Sequence, residues 1–199
     1  VSGKSILKYF TSNNIPLIAW DDNEEVRNLI NSNFENIRFI HPKNVDSSKI
    51  SEVFVSPGIS FKKNVFEQFK TNKLVLFRDL ELYSRIINNQ KIVAITGTNG
   101  KSTTVKLIGD IIKNSGLDCF IGGNIGLPLI DFSNNNVESS FHVIELSSFQ
   151  LESAPSFNSY ISILLNISND HLDRYNKIEN YVLEKKKILN NKKNTFNII

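Results

Sequence analysis

Ile92-Val93-Ala94-Ile95-Thr96-Gly97-Thr98-Asn99-Gly100-Lys101-Ser102-Thr103 is the stretch on which the reading of this chain turns. An apolar run with the character of a strand leads into a glycine-containing turn, and Gly-Lys-Ser opens a segment, 102–114, whose apolar residues recur at helical spacing. Glycines let backbone N–H groups turn inward around an anion, and a helix start adds the positive end of its dipole. Lys101 is then placed for the β- and γ-phosphates of a nucleotide, and the hydroxyl of Ser102 or Thr103 for a magnesium ion. The general phosphate-loop pattern has its first glycine five positions before the second, where this chain has Ile95, so the loop is a variant with Gly97 nearer the lysine. The competing reading is an ordinary strand-to-helix turn with a solvated lysine.

Working outward, the run 92–95 starts a series that continues with strands at 119–121, 141–146 and 161–166 and a helix at 178–190. An earlier series precedes it: a helix at 2–13, a buried strand at 15–20, and a helix at 24–31 capped by Asp21-Asp22-Asn23. Short strands at 37–40 and 53–55 follow, then the turn Ser56-Pro57-Gly58, a helix at 64–71, a strand at 74–77 and a helix at 80–87. Alternation of this kind predicts an α/β fold with parallel sheets. The expected organisation is a Rossmann-like N-terminal unit, 1–88, and a P-loop-type α/β central domain, 89–199, divided at Asn88-Asn89-Gln90. The only low-complexity pieces are short Asn/Ser and Lys/Asn loops at 133–136 and 190–194.

With 199 residues the chain can bury a core without disulfides. A formal charge of +3 gives no nucleic-acid footprint, and no apolar run is long enough to span a membrane. A single cysteine, Cys119, excludes an intrachain disulfide framework and fits a reducing compartment, so a cytoplasmic protein is expected. The chain starts at Val1, has no Met, and ends at 195–199 in what reads as an interrupted strand, so both ends are expected to be cuts.

Gly97-Thr98-Asn99-Gly100-Lys101-Ser102-Thr103 resembles the ATP loop of the Mur ligases. Four further motifs look like the D-glutamate-adding branch of that family: Ser56-Pro57-Gly58-Ile59, Gly122-Gly123-Asn124-Ile125-Gly126-Leu127-Pro128, Glu145-Leu146-Ser147-Ser148-Phe149-Gln150-Leu151-Glu152 and Asn166-Ile167-Ser168-Asn169-Asp170-His171-Leu172-Asp173-Arg174. The third discriminates most, because other Mur ligases and folylpolyglutamate synthases share the phosphate loop but usually differ there. The resemblance implies ATP-dependent, Mg²⁺-assisted joining of D-glutamate to UDP-N-acetylmuramoyl-L-alanine through an acyl phosphate, by a monomer. It also implies that the family's first strand and its C-terminal amino-acid-binding domain lie outside this sequence, leaving both units incomplete and the fragment inactive alone.

The resemblance further implies site residues. Gly97 to Thr103 hold ATP; Lys101, His171 and Lys185 are catalytic; and Ser102, Glu145, His171 and a carbamylated Lys185 serve the metal. Val1, Ser2, Asp21, Asp22, Ser56 and Gly58 fall at the UDP end, and Asn124, Ser147 and His171 at the muramoyl-alanine end. Residue chemistry alone leaves several of these open. Glu145 follows an apolar strand, where α/β sheets place ligand groups, but a capping or salt-bridged carboxylate fits as well. His171 suits an acid or base better than magnesium, or a loop histidine bonded to Asp170 or Asp173. Lys185 stands beside Lys186 and Lys187, which together also read as a solvated helix face. Asp21 after a strand could be the ribose acid of a dinucleotide fold, but no Gly-x-Gly-x-x-Gly accompanies it. Rival functions are another Mur ligase, a folylpolyglutamate synthase, or a P-loop ATP hydrolase or switch.

Overall fold

The computed structural model describes residues 2–34, 37–134, 139–189 and 196–199. In chain order the elements are α1 (Ser2–Ser12), β1 (Ile18–Ala19), α2 (Glu24–Asn33), β2 (Arg38–Phe39), β3 (Val53–Phe54), α3 (Glu67–Thr71), β4 (Leu76–Phe77) and α4 (Asp79–Ile86). There follow β5 (Lys91–Thr96), α5 (Lys101–Asn114), β6 (Cys119–Gly123), α6 (Asp131–Asn134), β7 (Phe141–Glu145) and α7 (Ser148–Leu151). Then come β8 (Ile161–Leu164), α8 (Leu172–Tyr175), α9 (Ile178–Lys186) and β9 (Phe196–Ile198).

The second half is built on a five-stranded, all-parallel sheet in the order β6-β7-β5-β8-β9. β5 lies in its middle, and because both faces are covered its residues are apolar without alternation. Ile92 and Ala94 join the cluster on one face with Leu80, Tyr83 and Phe120; Val93 and Ile95 join the cluster on the other with Val105 of α5. Ile6 of α1 and Leu80, Leu82 and Tyr83 of α4 thus share a core with the central sheet.

In the first half every strand pairing is parallel, but the pairs β1-β2 and β3-β4 are separate two-stranded sheets. The buried strand expected at 15–20 is corrected: only Ile18–Ala19 is strand, and Ile15 and Ile18 are 41% and 38% exposed. An apolar run marks β-propensity without saying whether another layer covers it. Asn23 caps α2 as expected, accepting from Glu25 N–H. The helix expected over 178–190 ends as α-helix at Lys186 and continues as a 3-10 turn, Lys187–Leu189; Asn190 and the expected 190–194 loop lie outside the described residues, as do 135–136 of the other loop. Apolar periodicity does not predict the short helices α6, α7 and α8, since four residues make barely one turn.

Candidate functional site

Open parallel sheets place ligand groups beyond the carboxyl ends of their strands, and there the ends of β5, β6, β7 and β8 converge. Residues 97–100 form a loop between β5 and α5 whose shape requires glycine at Gly100, with φ +81° immediately before the helix. The loop is anchored to the end of β8. Thr98 N–H donates to Asn166 O at 3.0 Å, Asn99 N–H donates to Asn166 Oδ1 at 2.9 Å, and Asn166 Nδ2 donates back to Asn99 O at 3.0 Å. Tyr181 on α9, buried, adds a hydroxyl contact to Thr98 Oγ1 at 3.2 Å. Lys101 Nζ donates to Thr98 O at 2.8 Å, so the side chain folds back over its own loop.

Glu145, at the end of β7 and 1% exposed, points into this loop. Its Oε2 accepts from Ser102 Oγ at 2.8 Å and its Oε1 from Asn124 Nδ2 at 2.9 Å. Gly123 makes that approach possible: with φ +114°, a Cβ there would lie 2.2 Å from Glu145 O. Ser102, Asn124 and Glu145 are therefore brought together from three elements.

Lys185 is 2% exposed, whereas its neighbour Lys186 is solvated. Its Nζ donates to Gly97 O at 2.8 Å and lies 3.4 Å from Thr96 Oγ1. Burial, reinforced by the nearby charge of Lys101, lowers its pKa to about 8, with Asp170 and Glu145 opposing. His171 is in the left-handed region, φ 51°, and occupies the N-cap position of α8 without a side-chain capping bond. Its ring packs against Phe149 at 4.8 Å and Tyr181 at 5.9 Å, and its Nε2 stands 3.6 Å from Asp170 Oδ2. At that distance the ring makes no hydrogen bond to Asp170; the hydrogen bond between the two residues runs from His171 backbone N–H to Asp170 Oδ1 at 2.8 Å.

A magnesium ion takes one or two protein carboxylates and keeps water or phosphate oxygens for the rest. The buried Glu145 carboxylate with the Ser102 hydroxyl suits that habit. Among the described residues no group of three or more His, Cys, Asp or Glu gathers as a self-sufficient metal cage.

The remaining expected positions divide. Ser2 bonds Asp79, and Gly3 is packed close to Ser56, a Cβ there falling 3.2 Å from Ser56 Oγ. The space beside Gly58 is open. Asp21 accepts from Asn23 N–H at 2.9 Å, and Asp22 pairs with Lys63 at 3.5 Å. Ser147 caps α7 in a reciprocal box with Gln150, so its hydroxyl already has a structural task. Val1 lies outside the described residues.

The Mur ligase middle domain family matches residues 95–199, more than half of the chain. The chain belongs to the Mur ligase family. Among the curated proteins it is 39% identical over 191 residues to a UDP-N-acetylmuramoylalanine–D-glutamate ligase of Wolbachia pipientis, covering 95% of this chain and 37% of that one. It is 36% identical over 197 residues to the protein of that name in Clostridioides difficile, covering 96% and 43%. The chain thus spans roughly two fifths of the length of these relatives. Among solved structures, the UDP-N-acetylmuramate–alanine ligase of Thermotoga maritima has the same fold, with a TM-score of 0.50 at 19% identity over 94% of this chain and 44% of that one.

Two members of this candidate site are not singled out by sequence reasoning. Asn166 carried a signal, a polar residue at the carboxyl end of an apolar run. Tyr181 carried none, because helical spacing does not reveal that a tyrosine hydroxyl reaches a loop 83 residues away.

Proposed function

We propose that this chain is part of an ATP-dependent ligase that adds D-glutamate to UDP-N-acetylmuramoyl-L-alanine in peptidoglycan precursor synthesis. The observation that carries the reading is the convergence of Ser102 and Asn124 on the buried Glu145 carboxylate at the mouth of the glycine loop. In this reading residues 1–88 hold the UDP-linked substrate and 89–199 the ATP. Location in the cytoplasm and action as a monomer belong to the same reading; the single cysteine supports a reducing compartment.

The reaction asks little covalent chemistry of side chains. The substrate carboxylate attacks the γ-phosphorus of ATP, ADP leaves, and the amine of D-glutamate then displaces phosphate from the acyl carbon. The N–H groups of the loop and of the start of α5 cradle the phosphates, and Lys101 exchanges its bond to Thr98 O for a phosphate oxygen. Glu145 and Ser102 are the residues that would hold Mg²⁺, which would supply charge neutralisation. Lys185 favours carbamylation, which needs a neutral amine, because burial lowers its pKa to about 8 and so raises the neutral fraction near neutral pH above that of a solvated lysine. As a carbamate it would join Glu145 and His171 as an anionic metal ligand. Asn124, Ser147 and His171 border the acceptor end, with Ser2, Asp21, Asp22, Ser56 and Gly58 at the UDP end.

Acceptor dependence of phosphate release tests this in the protein that carries these residues. Release that requires both UDP-N-acetylmuramoyl-L-alanine and D-glutamate is expected. Release with a different amino acid points to another Mur ligase or a folylpolyglutamate synthase, and release without any acceptor to a hydrolase or switch.

A further inference from the structure

The Ser56-Pro57-Gly58-Ile59 turn is gripped from behind by two guanidinium groups. Arg78 Nη1 donates to the carbonyls of Val55, Ser56 and Ile59 at 3.2, 2.7 and 2.9 Å, and Arg174 Nη1 donates to Pro57 O at 3.0 Å. One carboxylate joins the two. Glu152 pairs with Arg78 Nη2 and receives Nε and Nη2 of Arg174 at 3.1 and 2.8 Å. The side chains of Arg78, Glu152 and Arg174 are 0%, 14% and 11% exposed.

Stability is a poor explanation for this network. Desolvation of buried ions offsets most of their attraction, and apolar residues of similar volume commonly serve as well. Arg78 Nε is, moreover, buried without a partner. Geometry is what a planar, forked guanidinium provides. The network ends on the two parts of the proposed active site. On one side it fixes three carbonyls of the turn and that of Val55 before it, while the space beside Gly58 is open. At its other end Arg174 stacks on Phe149 at 4.0 Å, and the Phe149 ring lies 4.8 Å from that of His171.

From this arrangement we infer that Arg78 and Arg174, bridged by Glu152, are positioning residues that set the turn beneath the UDP-linked substrate at a fixed place relative to His171 and the phosphate loop. The inference rests on the ligase reading above. None of the three bridging side chains contacts the phosphate loop or Glu145, and Phe149 stands between Arg174 and His171, so loss of the bridge misplaces the UDP-linked substrate while nucleotide binding stays intact.

The test is a split of constants in the protein that carries these residues. Arg174→Gln is expected to raise KM for UDP-N-acetylmuramoyl-L-alanine at least tenfold, while Kd for ADP and KM for D-glutamate stay within twofold. Arg174→Lys is expected to restore only part of the loss, because one ammonium cannot span Glu152 and Pro57 together. Equal weakening of ADP and the UDP-linked substrate, or no change in a folded variant, overturns the inference. Should Arg174→Gln fail to fold, Glu152→Gln, which keeps the shape and removes the charge, must show the same split or the inference falls. A wild-type protein with no turnover of the UDP-linked substrate removes the ligase reading and this inference together; normal wild-type turnover with unsplit variants removes the inference alone.

Discussion

Ser102 Oγ donates to Glu145 Oε2 at 2.8 Å across 43 residues of sequence. The first residues of α5 and the last residue of β7 therefore meet at one point, where a hydroxyl and a buried carboxylate face the glycine loop. In the proposed mechanism these two groups would hold Mg²⁺. Glu145→Ala is expected to lower turnover roughly a hundredfold and to abolish the Mg²⁺ dependence of nucleotide binding, which titration calorimetry with and without Mg²⁺ reads directly. Unchanged Mg²⁺ dependence in the variant would remove Glu145 from the metal site.

Asn166 holds Asn99 by both ends of its amide, at 2.9 and 3.0 Å. Asn166→Ala leaves the loop without this clamp, and nucleotide affinity should fall about tenfold, equivalent to roughly 1.4 kcal/mol. Unfolding free energy should change by no more than about 1 kcal/mol, since the site is exposed. A nucleotide titration beside a urea melt separates the two effects.

Gly123 admits no side chain. Its φ is +114°, and a Cβ would sit 2.2 Å from the carbonyl oxygen of Glu145. Gly123→Ala should cost about 2–4 kcal/mol of stability and displace the Glu145 carboxylate, so nucleotide binding weakens as well. A variant with wild-type urea midpoint would show that the strand ends relax more freely than this contact allows.

His142 is fully buried, its Nδ1 2.9 Å from the Tyr83 hydroxyl, and burial lowers its pKa from the usual 6.5 to about 4. The unfolded chain therefore binds a proton between pH 6.5 and 4 that the folded chain refuses. Stability from this group is complete above pH 6.5 and is lost as pH falls towards 4, an effect on the order of 3 kcal/mol. His142→Asn keeps a partner for Tyr83 and cannot titrate. Its urea midpoint should drop less between pH 7 and pH 4.5 than that of the unsubstituted protein; equal drops would place the acid sensitivity elsewhere.

Lys185, Lys186 and Lys187 show where legibility stops. Three adjacent lysines on a helix are indistinguishable by composition, yet Lys185 is 2% exposed with its ammonium on Gly97 O, while Lys186 is solvated and Lys187 reaches Glu152 O at 2.9 Å. Only the resemblance singled out Lys185, and only packing shows what surrounds it. The reverse holds for the Ser147 and Gln150 box, whose Ser-x-x-Gln spacing is visible in the sequence, and which caps α7.

By itself the sequence determined what local chemistry can specify: the strand, loop and helix from Lys91 to Asn114, the Asn23 cap, the turn at Ser56-Pro57-Gly58, and the α/β class. Backbone preference and apolar spacing act over a few residues, so they survive in the order of the letters. Tertiary structure alone decided that Glu145 meets Ser102 and Asn124, that Asn166 clamps the loop, and that Arg78, Glu152 and Arg174 bind the turn from behind. These contacts depend on strand order and on which charges the fold withdraws from water, and both follow from the packing of distant segments.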